Sequence, residues 1–210
     1  MTAHPLQNRV RPDGELVSIS ARGTMIGNRG GAFHTPSQTL LKKHWHSKQW
    51  ICCVLDFKNR QRKVMQPRRY TELFFLDEAT ALSAGHRPCF ECRRAAALEF
   101  AIRWNAGRGV GERAAAGDID RVLHSERLDK DGMKRTYTAG IDTLPDNTFV
   151  RVGGRTARIA GVHIQFWSFD GYGPREVRPT AVEVDVLTPP SIVAVLKAGY
   201  VPLLHTSATP

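Results

Sequence analysis

Ala84–Arg94, AGHRPCFECRR, decides how the N-terminal half of the chain is interpreted, because it holds Cys89 and Cys92 as a Cys-x-x-Cys pair. Pro88 immediately before Cys89 favours a turn or a first helical position. Two thiolates three residues apart can close on one metal ion from a turn that leads into a helix. A redox pair or a buried thiol pair has the same spacing, so the spacing alone leaves these alternatives open.

The residues on either side predict a strand and two helices. Leu73–Leu76 is apolar and extended in character. The spacing then predicts a short helix over Asp77–Ala84, with Asp77 as its cap and Gly85 at its end. A longer helix is predicted from Cys89 to Trp104, because apolar residues recur there at helical spacing.

This arrangement closely resembles the C-terminal half of the zinc-binding module of Ada-type DNA repair proteins. In that family an EAxxAGxRPCxxC run supplies two zinc thiolates, at the positions of Cys89 and Cys92. Gly31–Gln38, GAFHTPSQ, resembles the first half of the same module. His34 stands there at the first cysteine position and Gln38 at the second. The resemblance covers about residues 27–95.

The resemblance implies zinc, with Cys89, Cys92 and His34 as ligands. An amide is a poor zinc ligand, so we expect another residue than Gln38, or water, in the fourth position. The segment Lys42–Arg69, which is longer here than in the family, carries four candidates: Cys53, Cys52, His46 and His44. Thiolate completes such sites most naturally, so Cys53 is our first choice.

Trp50–Phe57 is apolar and predicts a buried strand, and Val64–Phe75 predicts a returning strand after a basic turn. Alternation along a strand places Cys53 on one face and Cys52 on the other. Both thiols are also explained by core packing alone, since free cysteine behaves as a small buried hydrophobe.

Lys42–Arg69 also carries most of the positive charge. The chain has 30 Lys and Arg against 20 Asp and Glu, a formal net charge of +10. Nine cations and one acid lie in this stretch, so nine minus one gives +8 there. Cations interleaved with Trp45 and Trp50 favour nucleic acid as partner, and we expect DNA rather than RNA. Ordinary solubilising charge is the alternative. The predicted contacts to nucleic acid are Arg60, Arg62, Lys63, Arg68, Arg69, Arg93 and Arg94.

The predicted fold class is α+β, in three parts. Residues 1–105 form the Ada-like zinc module of strands and short helices with its basic insertion, and 106–140 form a linking, partly helical segment. Residues 141–210 contain short apolar runs between turn signals, which predict a small antiparallel β-rich domain closed by a C-terminal helix.

Four cysteines are too few for a disulfide scaffold, and no apolar run is long enough to span a bilayer. No signal peptide is apparent, so we expect a cytoplasmic protein with reduced thiols. The expected function is that of a zinc-stabilised protein that docks on nucleic-acid backbone. The alternatives are an enzyme acting on DNA, by alkyl transfer or in association with a nuclease, and a protein whose metal is purely structural. No HExxH, GxSxG or paired-acid motif supports an enzyme.

Overall fold

The N-terminal strands form one six-stranded sheet. The computed structural model describes residues 4–60, 63–106 and 113–208. In spatial order the strands are β2 (Leu16–Ser18), β1 (Gln7–Val10), β5 (Leu73–Phe75), β3 (Met25–Asn28), β4 (Ile51–Val54) and β6 (Arg87–Pro88). β3 is antiparallel to both β4 and β5, whereas β6 runs parallel to β4.

The centre of this sheet is tightly packed around Gly27. A Cβ atom there would lie 2.2 Å from the carbonyl oxygen of Ile51 and 2.9 Å from the Phe75 ring. The adjacent residue on β3, Ile26, is paired with Cys53 on β4 and with Phe74 on β5. This register fixes which side chains share a face with Cys53.

The two faces of the sheet have different environments. One face, which includes Cys52, Leu73 and Phe75, belongs to the main core of this half. The opposite face carries a smaller cluster in which Ile26 packs with Cys53 and Cys89. The predicted separation of Cys52 and Cys53 is therefore observed, because successive side chains of a strand point to opposite faces.

Two of the predicted elements are shorter than expected. The strand before Asp77 covers only Leu73–Phe75, and residues 64–72 are irregular. Met65 and Arg68 have φ values of 52° and 63°, and Pro67 between them cannot donate to a strand ladder, so the segment cannot continue as a strand. The other strand covers Ile51–Val54 rather than Trp50–Phe57.

The described residues contain four α-helices: α1 (Glu78–Ser83), α2 (Arg94–Ala106), α3 (Ala116–Arg127) and α4 (Pro190–Lys197). The Asp77 side chain caps α1 by accepting from the backbone N–H of Thr80 at 2.9 Å, as predicted. Gly85, with φ of 84°, ends the segment after α1. The prediction that α2 begins at Cys89 is wrong, because the backbone turns around the Cys89 sulfur before the helix starts at Arg94.

The second sheet lies entirely in the C-terminal part of the chain. Its strands, in spatial order, are β11 (Gly171–Val177), β10 (His163–Ser168), β9 (Arg155–Ala160), β8 (Phe149–Val152), β12 (Glu183–Val186) and β7 (Tyr137–Gly140). All neighbours in it are antiparallel. With two sheets and four α-helices in the described residues, the fold class is α+β.

Helices from both halves share one apolar core. Phe100 and Trp104 of α2 pack in it with Leu123 of α3 and with Ile192 and Val195 of α4. The three-part domain division stays a prediction. Within the described ranges, no helix has the length and apolar character needed to cross a membrane.

Candidate metal centre and basic pocket

Three thiols come together on the face of the N-terminal sheet that carries Ile26, where Cys53 and Cys89 are buried and Cys92 is partly exposed. The sulfur atoms of Cys53, Cys89 and Cys92 all lie within 4.8 Å of one another. In the part of the chain that the structure describes, no fourth His, Cys, Asp or Glu ligand atom lies that close to all three. Thiolate sulfur at this spacing suits a single metal ion.

Backbone hydrogen bonds place the thiols. Because β6 runs parallel to β4, the N–H of Cys89 donates to the carbonyl of Cys52 at 3.0 Å, which sets Cys89 beside Cys53. The chain then turns, and the N–H of Glu91 approaches the Cys89 sulfur at 3.4 Å. This turn brings Cys92 to the side of the sheet that carries Cys53 and Cys89. The group of three thiols is therefore formed by the register of β4 and β6 and by one tight turn.

The three thiols differ in their readiness to ionise. A hydrogen bond from the Cys53 thiol lowers the pKa of Cys89 to about 5, against the opposing effect of burial. The same hydrogen bond, together with burial, raises the pKa of Cys53, and burial raises the pKa of Cys92. Cys89 is therefore the first thiolate of the group, and a cation bound there would favour ionisation of the other two.

The structure does not bring His34 into this group. Its Nδ1 lies 2.6 Å from the Thr71 hydroxyl and its Nε2 lies 3.2 Å from the carbonyl oxygen of Gln66. Both ring nitrogens are thus engaged elsewhere, and the ring orders a loop rather than facing the thiols. Gln38 is also occupied, since its side-chain amide donates to the carbonyl of Val64 at 3.0 Å.

The thiols line a pocket of about 530 Å³ whose entrance is basic. Arg60, Lys63 and Arg69 line the same pocket and are exposed. Arg60 is paired with Glu91 at 2.7 Å, and both side chains remain about half exposed. Such an exposed pair contributes little, about 0–1 kcal/mol, so Arg60 can exchange Glu91 for another anion. Lys63 and Arg69 have no ion-pair partner within residues 4–60, 63–106 and 113–208.

The remaining predicted cations have varied positions. Arg68 and Arg94 are exposed but do not line the pocket. Arg62 lies outside the described residues. Whether these cations form a single face with the pocket stays a prediction.

Arg93 is not available to a phosphate, which corrects its predicted role. It is only 7% exposed and makes two 2.6 Å bonds to the carboxylate of Glu78. Burial alone would lower the pKa of Arg93, but the bonds to Glu78 raise it above its ordinary value. The same carboxylate accepts from the Tyr200 hydroxyl and from the Leu203 N–H. The ion pair between Arg93 and the buried carboxylate of Glu78 thus holds the turn beside Cys92 in place.

Trp50 is likewise unavailable for stacking on a base. It is 2% exposed and lies between the guanidinium groups of Arg29 and Arg127, at 4.0 and 3.9 Å from its ring. Trp45 is partly buried and packs edge-on against His124 with their ring centroids 4.6 Å apart.

Sequence reasoning missed three further pocket residues, Asn28, Tyr70 and Glu72. A signal existed for Glu72, because strand alternation puts it on the same face as Phe74, which shares a face with Ile26 and Cys53. Asn28 is the last residue of β3, whereas Tyr70 lies in an irregular loop, where no periodicity applies.

Comparison with family models, curated proteins and solved structures finds no match to this chain. The resemblance to the Ada-type module therefore stays a prediction. The donor set itself fits a metal: three thiols are soft ligands, which favour zinc, copper(I) or an iron–sulfur centre over magnesium or calcium.

Proposed function

We propose that this protein binds one zinc ion through Cys53, Cys89 and Cys92 and docks on the phosphate backbone of nucleic acid beside it. The observation that carries the proposal is that three thiols and three exposed cations line one pocket. Zinc is preferred because it is redox-inert and binds Cys thiolates in structural sites. Bound there, it would link β4 to the segment between β6 and α2.

Charge supports the nucleic-acid part of the proposal. Eight of the nine cations in residues 42–69 lie in the described part of the chain, and all eight are exposed. Lysine and arginine that neutralise phosphates release counterions, so affinity falls with salt by roughly 0.9 log units per log unit for each phosphate contacted on duplex DNA. A basic patch beside a small metal centre suits backbone docking without base readout.

The test combines metal analysis with salt-titrated binding. Natively purified protein should contain one zinc per chain, and it should bind a random duplex and a random single strand with a steep salt dependence. The triple variant Arg60→Ala, Lys63→Ala and Arg69→Ala should lower the log–log slope by up to about 3 units. A matched triple variant at Arg121, Lys130 and Lys197, three exposed cations outside the basic stretch, removes the same charge and should change the slope far less.

Equal slopes for the two triple variants would mean that the cations act only as general surface charge. Absence of binding to either polynucleotide at low salt, with folded and metal-loaded protein, would remove the nucleic-acid part of the proposal and leave a structural metal centre.

A further inference from the structure

The pocket lining includes two polar groups that the backbone-docking model does not use. They are the side chains of Asn28 at the end of β3 and Glu72 just before β5. Gly27 and Leu73 form the last pair of the β3–β5 ladder, and Asn28 and Glu72 are the residues next to this pair. Asn28 follows Ile26 by two positions and Glu72 precedes Phe74 by two, so alternation places both on the face that carries Ile26 and Cys53.

Both groups have a free hydrogen-bonding atom. Asn28 uses its Oδ1 to accept from the N–H of Gly30 at 2.9 Å, which leaves its NH2 group as a donor. Glu72 uses Oε2 to accept from the N–H of Met65 at 2.6 Å. Within the described residues, no hydrogen bond occupies Nδ2 of Asn28 or Oε1 of Glu72.

Glu72 as a residue is only 8% exposed, but its Oε1 is not fully buried, so this oxygen remains accessible to water or to a ligand. Here a donor and an acceptor stand side by side in a pocket. That pairing complements the edge of a nucleobase, which presents at least one N–H donor and one acceptor.

The rest of the pocket fits the other parts of a nucleotide. Lys63 and Arg69 at the entrance suit a phosphate, as does Arg60 once it leaves Glu91. Tyr70 is 56% exposed and Phe57 is partly exposed, and both line the pocket, so aromatic surface is present for stacking. The volume, about 530 Å³, lies within the range of roughly 300–1,000 Å³ typical of small-ligand sites.

We infer that the pocket binds a single nucleotide unit, a chain end or an unstacked nucleotide, with its phosphate at Arg60, Lys63 and Arg69 and its base against Asn28 and Glu72. This inference rests on the proposed function, since it names the part of the nucleic acid that enters the pocket. A duplex backbone alone would contact the exposed cations Arg60, Lys63 and Arg69, whereas a single unit would also reach Asn28 and Glu72.

The experiment compares nucleoside monophosphates with ribose 5-phosphate, which has the phosphate but no base. Metal-loaded protein is titrated by calorimetry with each of them. The monophosphate of at least one base should bind about tenfold or more tightly than ribose 5-phosphate, the size expected for one hydrogen bond to a charged group. Glu72→Gln keeps an acceptor for Met65 and turns the pocket-facing acceptor into a donor. It should abolish the advantage of that nucleotide and leave ribose 5-phosphate binding within about twofold, because no phosphate-binding cation changes.

A second pair of variants tests the entrance. Arg69→Ala should weaken nucleotide and ribose 5-phosphate equally, whereas Arg94→Ala, which removes an exposed cation outside the pocket, should weaken neither. Equal affinity for nucleotides and ribose 5-phosphate in the wild-type protein would overturn the inference. So would polynucleotide binding without any mononucleotide binding, a result that leaves the proposed function standing. Loss of polynucleotide binding as well would overturn both.

Discussion

Arg93→Ala tests whether the turn beside Cys92 is held by a buried ion pair or is open to a ligand. The Glu78 carboxylate is fully buried. After the substitution its only hydrogen-bond donors among the described residues are the Tyr200 hydroxyl and the backbone N–H of Leu203. Removing one member of a buried pair costs about 3–5 kcal/mol, because the other charge stays buried without compensation. Both Arg93–Glu78 bonds are 2.6 Å long and both side chains are at most 4% exposed. We therefore expect the free energy of unfolding to fall by about 3–5 kcal/mol.

Urea unfolding of metal-loaded protein measures the loss. The control is Arg94→Ala at the adjacent exposed position, where we expect a change within about 0.5 kcal/mol. The double variant Arg93→Met and Glu78→Gln removes both charges and should recover a large part of the loss, because a neutral replacement of a buried pair is often tolerated. The salt dependence of nucleic-acid binding should be unchanged in both Arg93 variants, provided that they fold.

A loss below about 1 kcal/mol for Arg93→Ala, the size found for exposed pairs, would refute this reasoning. It would mean that water reaches Glu78 and Arg93, and that Arg93 is free to meet a phosphate as the sequence pattern first indicated.

The group formed by Cys53, Cys89 and Cys92 can be tested by metal analysis and by titration. Cys53→Ser should release the metal, since it removes one of three sulfur ligands, whereas Cys52→Ser on the opposite face should keep it at one equivalent; equal metal content in both variants would contradict the assignment. In metal-free protein the ultraviolet absorbance of the Cys89 thiolate should titrate at about pH 5, because the pKa of Cys89 is lowered to about 5. Because the pKa is lowered on folding, this group should stabilise the metal-free fold fully above the unfolded thiol's pKa and lose that effect as the pH falls through about 5. Cys53→Ala removes the hydrogen-bond donor, so the titration should move upward, and an unmoved titration would show that Cys53 is not its cause.

Local patterns predicted those parts of the site that depend on local geometry. The alternation of Cys52 and Cys53 follows from the pleat of one strand, and the Asp77 cap follows from hydrogen bonding within one turn of helix. The Cys89–Cys92 spacing likewise acts within one turn. These predictions needed no knowledge of distant residues, which is why the sequence alone contained them.

The errors arose where a distant partner decides the outcome. Arg93 resembles a solvated helix residue until Glu78 is known to be buried beside it, and that burial depends on Tyr200 and Leu203. His34 resembles a ligand by its position along the chain, but Thr71 lies close enough to take its Nδ1. Neither partner is encoded by a periodic pattern, so spacing could not reveal it.

Glu78 accepts hydrogen bonds from Tyr200 and Leu203, which follow it in the chain by 122 and 125 residues. These bonds can form only late in the synthesis of the chain. A growing polypeptide exposes all three cysteines long before Tyr200 and Leu203 leave the ribosome. During that interval the Glu78 carboxylate beside the turn lacks two of its donors. Bringing Tyr200 and Leu203 back to Glu78 also closes a long loop, which costs entropy and slows folding. If the thiols bind zinc as proposed, they can do so before the turn is fixed, and a nascent chain arrested before Tyr200 should then exchange its ion faster than the full chain.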